Sequence, residues 1–444
     1  MSPAVRVQAF GADVLAAASG WQAALAVVAG EHPAPVLAVV DAPSPCRAAL
    51  DRSLAAAGRG EPDRAAAEAR EASDLLHALA GDLGSQAPYL QAADTLLRRL
   101  GELVQGAALV GHASPRTRGA AQAALGGLSA TLFAAALARR GLRARVELPG
   151  PADARAQPPG PPRPPGPETL QVLAGGAGTE DGDPSWPEGP GDPVQAAVGR
   201  ACAWGLREVC IWTLEEGILT ADPSLVPGAR RLPVLSHAEA LALSGFGGRA
   251  LPPEVLLRAE AAGLELRVAN LLRPAASTRV TRHAPPREPG SVACVAYKEG
   301  LHLLRLPARG DLEALARTDR DLREAGVHRF GAIVGPEGTL LVVRAASESA
   351  VRALAATADR GVEVQAGWAL VALVGEGLRA TPGGALRLLA PVGLERVGGL
   401  LAGSSPISVS FLVPEDRLGD LVPRLHRIHL EAAARPLALA PLSL

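Results

Sequence analysis

Residues 211–270 read IWTLEEGILTADPSLVPGARRLPVLSHAEALALSGFGGRALPPEVLLRAEAAGLELRVAN, and this stretch decides the fold. An apolar run, Glu208–Trp212, leads into it and predicts a buried strand. Upstream, Val5–Phe10 and Val36–Val40 predict two further short strands, with a helix over Asp13–Ala29 between them. Strand and helix alternating in this way is the pattern of a parallel α/β sheet.

Working outward, helical signals run over Arg64–Ala80, Tyr89–Gly106 and Pro115–Gly141. Ser114 before Pro115 predicts an N-cap with proline at the first helical position. Strands are predicted at Arg143–Leu148 and Leu170–Leu173, and a helix at Val194–Trp204. Residues 149–167 are nearly all Pro, Gly, Ala and Arg, which predicts an extended linker, and 175–193 form a second irregular loop. After Arg273, prolines at 285, 286 and 289 mark a break. Two β-α-β-β-like units are then expected. The first has strands Ala293–Tyr297 and Leu301–Leu306, a helix Asp311–Ala325, and strands Phe330–Val334 and Leu340–Val343.

Across 444 residues, 48% are hydrophobic and 20% charged, enough apolar material for a sizeable core in two or three domains. A net charge of −1 with interspersed signs leaves no electrostatic footprint for nucleic acid or an anionic membrane. Four scattered cysteines without metal-ligand spacing predict free thiols in a reducing cytosol and no metal site. No signal peptide is read at the N-terminus, so a cytoplasmic location is expected.

The 211–270 stretch resembles the nucleotide-binding segment of aspartokinases, W-T-D-x-D-G, T-A-D-P and V-P-x-A-R-x-[IL]-P-x-L-S-x-x-E-A. Trp212, Thr213, Gly217, Thr220-Ala221-Asp222-Pro223, Pro227, Arg230, Ser236 and Glu239 stand at the matching positions. Val374–Leu378, Pro382-Gly383, Ser404–Phe411 and Leu425-His426 resemble the C-terminal ACT domain of the same family. The resemblance implies a three-layer α/β/α amino-acid-kinase sandwich over 1–285, followed by two α+β, ferredoxin-like ACT domains at 290–358 and 366–432. It implies phosphorylation of L-aspartate to 4-phospho-L-aspartate in Lys, Thr and Met synthesis, with ATP and Mg²⁺ if the chain is active.

The resemblance also places site residues. Ala9 and Gly126 occupy the family's lysine and glutamate positions, so no catalytic residue is assigned. The nucleotide-binding candidates are Thr213, Glu216, Thr220, Asp222 and Arg249, and the substrate candidate is Ser129. The effector candidates are Gly375, Gly377, Ser405 and Ile407, facing lysine or threonine. The loop at Glu188–Ala196 carries two prolines where backbone N–H donors cradle phosphate. The chain's one lysine, Lys298, lies outside the quoted stretch. The expectation is a weak or inactive kinase with a regulatory or scaffold role, as a homodimer through its ACT domains or joined to an intact aspartokinase. An active kinase using substituted residues, a non-enzymatic amino-acid sensor and a decaying paralogue remain as alternatives.

Overall fold

A computed structural model describes residues 5–148, 169–175, 192–246, 251–307 (apart from 283 and 289), 327–335, 338–345, 362–378, 397–402 and 405–431, with isolated positions elsewhere. The predicted linker at 149–167, most of the loop at 175–193 and most of the helix at 311–325 lie outside the described residues. The chain divides into two compact units: residues 1–217 with 254–282, and 218–253 with 283–444. The segment 211–270 therefore contributes to both.

In the first unit the elements are β1 (Arg6–Phe10), α1 (Ala18–Glu31), β2 (Val36–Val40), α2 (Ser44–Gly58), α3 (Pro62–Asp82), α4 (Gln86–Val110), α5 (Pro115–Arg139), β3 (Ala144–Glu147), β4 (Leu170–Ala174), α6 (Pro193–Ala203) and β5 (Glu208–Thr213). β6 (Val234–Ser236) and α7 (His237–Ser244) belong to the second unit, and the chain returns to the first with α8 (Pro253–Ala262), β7 (Glu265–Asn270) and β8 (Ser277–Thr281). The first unit's strands run in the order β3-β4-β2-β1-β5-β7-β8. All pairs are parallel except β7–β8. β2 and β4 are buried at every position, as strands covered on both faces must be, and this is why β2 reads as an unbroken apolar run and β4 as one interrupted only by Gln171. Phe10, Val36, Ala38 and Val40 pack with α1 to α5, including Trp21, Leu50, Leu76, Leu100 and Phe133. The alternate residues of β1 and β2 face the other way, and α6 packs against β1, β2 and β5.

Two expectations are corrected here. Residues 13–17 form turns, so α1 begins at Ala18 rather than Asp13. Helix α2 was not expected: its buried positions include Ala49, Ser53, Ala56 and Ala57, residues too small or polar to write an apolar stripe. Ser114 does cap α5, accepting the Thr117 N–H at 3.1 Å.

The second unit adds β9 (Cys294–Pro307), β10 (Val327–Gly335), β11 (Gly338–Ala345), β12 (Glu363–Val374), β13 (Gly399–Ala402), β14 (Ser408–Pro414) and α9 (Leu418–His426). They form one antiparallel sheet, ordered β10-β11-β9-β12-β14-β13. The two strands expected at 293–297 and 301–306 are one strand, β9: β12 pairs with it on both sides of Glu299-Gly300, where the register shifts, and β11 pairs with residues 302–307. Two α+β cores share this sheet. Val295 and Tyr297 of β9 pack with Val371, Phe411, Val413 and the α9 leucines. Leu304 and Leu306, farther along β9, pack with Val327, Leu341, Val343 and Val362. The first half of β9 thus completes the core built by the chain's later elements, and the two ferredoxin-like units are interleaved.

Candidate functional site

Ligands of open parallel sheets bind beyond the carboxyl ends of the strands. In the first unit β1, β2 and β4 end together there: Asp41 N–H donates to the Phe10 carbonyl at 3.1 Å and Gly175 N–H to the Val40 carbonyl at 2.7 Å. Asp41, the residue after β2, is buried. Its Oδ1 accepts the Ala42 N–H at 2.7 Å and its Oδ2 accepts Arg47 Nη1 at 2.6 Å. Burial pushes its carboxyl up to about 6, against the pull of Arg47, and the nearby Asp192 adds to the rise. Asp192 caps α6 through the Val194 N–H at 2.8 Å, and burial raises its carboxyl also. Ser44, opening α2, donates to the Asp13 carboxylate at 2.8 Å and to the Ala12 carbonyl at 3.1 Å. Asp13 and Asp192 stand in the two loops that the resemblance aligns with phosphate binding, whereas Asp41 and Arg47 are not singled out by the sequence. An acid directly after the five apolar residues of β2 is the one signal that marks this edge.

Ala9, next to last in β1, is buried, so a methyl group stands where the resemblance implies a lysine. Gly126 lies on α5 where the helix meets the end of β4. A Cβ there would stand 2.0 Å from the Gly175 carbonyl oxygen. Helix and sheet approach here to a distance only glycine permits. Ser129, one turn on, is fully buried and donates to the Leu125 carbonyl at 3.2 Å.

The five nucleotide-binding candidates are not gathered in one unit. Thr213 closes on its own turn, donating to the Glu215 carbonyl at 3.0 Å and accepting the Glu215 N–H at 3.1 Å. Glu216 pairs with Arg273 at 2.6 Å, both exposed. Thr220 and Asp222 belong to the second unit, and Arg249 lies outside the described residues. Thr220 Oγ1 accepts the Arg230 N–H at 2.9 Å and sits 2.9 Å from His426 Nε2. With the hydroxyl hydrogen directed to Nε2, the imidazole proton is assigned to Nδ1, 3.0 Å from Glu431 Oε1. Asp222 accepts Ser224 N–H at 2.8 Å, Ser224 Oγ at 2.7 Å and Tyr297 Oη at 3.1 Å. Partial burial pushes its carboxyl up, but these three donors outweigh burial and hold it below the usual range.

The effector candidates do come together. Gly375 N–H donates to the Ile407 carbonyl at 2.9 Å, and Ile407 N–H to Ser405 Oγ at 3.3 Å. Gly377 accepts the Gly290 N–H at 2.8 Å. Beside this turn lies a buried carboxylate that the sequence placed only as a motif residue. Glu239 forms a capping box with Ser236 at the start of α7. It also takes both arms of the Arg287 guanidinium and the Glu376 N–H, the last at 3.0 Å. Among the described residues no group of three or more His, Cys, Asp or Glu side chains is arranged to hold a metal ion.

A profile described as the amino acid kinase family matches residues 168–270. Aspartokinase 1 of Bacillus subtilis is 27% identical over 269 residues, 58% of this chain and 65% of the relative. Aspartokinase 2, chloroplastic, of Arabidopsis thaliana is 28% identical over 31% of this chain and 26% of its own length. The alignments thus span under two thirds of these curated relatives. Among solved structures, E. coli aspartokinase III in complex with lysine and aspartate superposes with a TM-score of 0.77 at 22% identity, covering 96% of this chain and 99% of that one, a likeness of fold.

Proposed function

Because this chain belongs to the aspartokinase family, with an amino-acid-kinase unit and an ACT-type unit, we propose that it serves as a regulatory, amino-acid-sensing member rather than a working kinase. The family's reaction moves the γ-phosphoryl of ATP onto the side-chain carboxylate of aspartate. That chemistry is mostly positioning plus neutralisation of negative charge. The contact between Gly126 and the Gly175 carbonyl carries the reading. It leaves no room for a side chain where the family sets its substrate-side carboxylate.

The described residues at the carboxyl edge do not fit ATP with Mg²⁺. A triphosphate calls for free cations and N–H donors. The edge instead presents Asp13, Asp41 and Asp192, and Arg47 is already engaged by Asp41. Ala9 supplies no charge. Thr213 and Glu216, the two nucleotide candidates in this unit, are each satisfied by protein partners.

The deciding experiment is ATP-dependent aspartyl hydroxamate formation by purified protein with Mg²⁺, aspartate and hydroxylamine, beside calorimetric titration with lysine and with threonine. Absent turnover and saturable amino-acid binding are expected. Turnover that co-purifies with the folded chain and disappears in Asp41→Asn would overturn the proposal, since it would place phosphoryl transfer at this edge.

A further inference from the structure

The helices over one face of the first unit's sheet enclose Cys46 of α2, His77 of α3 and Tyr89 of α4. Tyr89 is fully buried and Cys46 nearly so. Burial pushes the Tyr89 phenol upward, and the neighbouring Cys46 adds to the rise. The His77 and Tyr89 rings meet edge to face, 5.7 Å between centroids and 64° between planes. Tyr89 Oη and His77 Nε2 are both shut off from solvent, and neither has a hydrogen-bond partner among the described residues. They do not bond each other either. An unmade bond at such a group forfeits its whole desolvation cost, so buried polar atoms are almost always paired.

The two atoms are chemically complementary. His77 Nδ1 lies 3.9 Å from Oδ1 of Asp74, a largely exposed carboxylate. With the ring proton assigned to Nδ1, facing that carboxylate, Nε2 is an acceptor. The phenol is a donor, and the Cys46 sulfur is a weak donor and acceptor beside it. A donor and an acceptor on touching rings, neither reaching the other, call for one molecule that accepts from the first and donates to the second. Water does both. It is also small enough for a layer packed through alanines, among them Ala49, Ala72 and Ala93. Internal sites lined by polar atoms hold water, whereas apolar ones stay dry.

We propose that a single internal water binds between Tyr89 Oη and His77 Nε2, accepting from the phenol and donating to the imidazole, and so ties α3 to α4 inside the helical layer. The site is independent of the sensing role argued above. It explains how two polar rings stand in a core otherwise filled by alanine, leucine and valine. The phenol and the imidazole then act as one unit, since either loses its partner when the other is removed.

The test uses the full chain with Tyr89→Phe, which keeps the ring and removes the oxygen. If the hydroxyl is unpaired, its removal stabilises the chain, because only a desolvated group is lost. If the water is bound, removal breaks a hydrogen bond, and the unfolding equilibrium constant from urea titration should rise about two- to tenfold. With His77→Leu added, the double variant should lose less than the two single changes combined, since a shared water is lost only once. Magnetic relaxation dispersion of water oxygen-17 counts long-lived internal waters, and one should vanish in Tyr89→Phe. A stabilised Tyr89→Phe, strictly additive changes, or an unchanged water count would each overturn the proposal.

Discussion

Gly126 of α5 and Gly175 after β4 pack backbone against backbone, so closely that a Cβ on Gly126 would meet the Gly175 carbonyl oxygen at 2.0 Å. Ordinary helix propensity favours alanine over glycine by about 1 kcal/mol. Here the clash wins, because the obstructing atom belongs to a strand end held by the Gly175–Val40 hydrogen bond.

Gly126→Ala should therefore cost about 2–4 kcal/mol, the scale of an overpacked core with backbone displacement. Gly119→Ala in the same helix, where a Cβ meets nothing within 4 Å, should gain up to about 1 kcal/mol. Urea unfolding of the pair measures both signs against one helix. A stabilised Gly126→Ala would show that α5 sits farther from β4 than described, and the argument against a carboxylate at this position would lapse.

Asp41 should make stability fall as pH rises. Its carboxyl is pushed by burial from 3.8 up to about 6, so the native state holds the proton more tightly than the unfolded chain does. The benefit is fully present below about pH 4 and is lost as pH rises through 6. At pH 7.5 and above the ionised Asp41 costs up to roughly 3 kcal/mol, at about 1.4 kcal/mol per pH unit of displacement. Asp41→Asn keeps a hydrogen-bond acceptor for Arg47 and removes the titration. It should melt higher than the native chain at pH 7.5, with the gap closing toward pH 4. A gap independent of pH would assign the effect to packing.

The parallel sheet was legible because β2, β4 and β5 are short, mostly apolar runs, and the segment after β5 carries a turn-and-helix pattern that resembles one family's. What escaped was contact at a distance. Glu239 and Arg287 are separated by 48 positions, and neither shows from its neighbours that it will be buried against the other. Arg47 and Asp41 stand six apart across a proline turn, where no helical spacing links them. Helix α2 was hidden by its own composition, since alanine and serine sit in its core-facing positions as readily as outside them. β9 reads as two strands because Glu299 and Gly300 interrupt its apolar pattern; β12 pairs with it on either side of these two residues, across a register shift. Motif residues also hold partners that their spacing does not announce, as Thr213 does with Glu215 and Thr220 with Arg230 and His426.

The thiols offer a check on burial. Cys46, Cys210 and Cys294 are buried and Cys202 only partly so. Burial pushes Cys46 and Cys210 to about 12, and Cys294 higher still, so almost no thiolate exists in the native state at neutral pH. With an aromatic disulfide reagent, Cys202 should react first. The other three should follow only as the chain opens, on the order of a hundredfold more slowly. Four equal rates would mean that the cores around β5 and β9 are looser than their packing indicates.

Thr220 shows how far a motif residue can be absorbed into structure. Its Oγ1 accepts the Arg230 N–H and bonds His426, a fully buried imidazole. Thr220→Val conserves shape but leaves that N–H and one ring nitrogen without a partner. Such unsatisfied buried groups cost about 1–3 kcal/mol each. Thr220→Ser keeps both bonds and gives up one methyl, about 1 kcal/mol. Amide exchange in α9 separates the two: Thr220→Val should speed it by more than tenfold, and Thr220→Ser by no more than severalfold. The structural role predicts this ordering with or without nucleotide. If ATP slows α9 exchange in the native chain and in Thr220→Ser but not in Thr220→Val, the hydroxyl is serving a nucleotide, and the kinase reading returns.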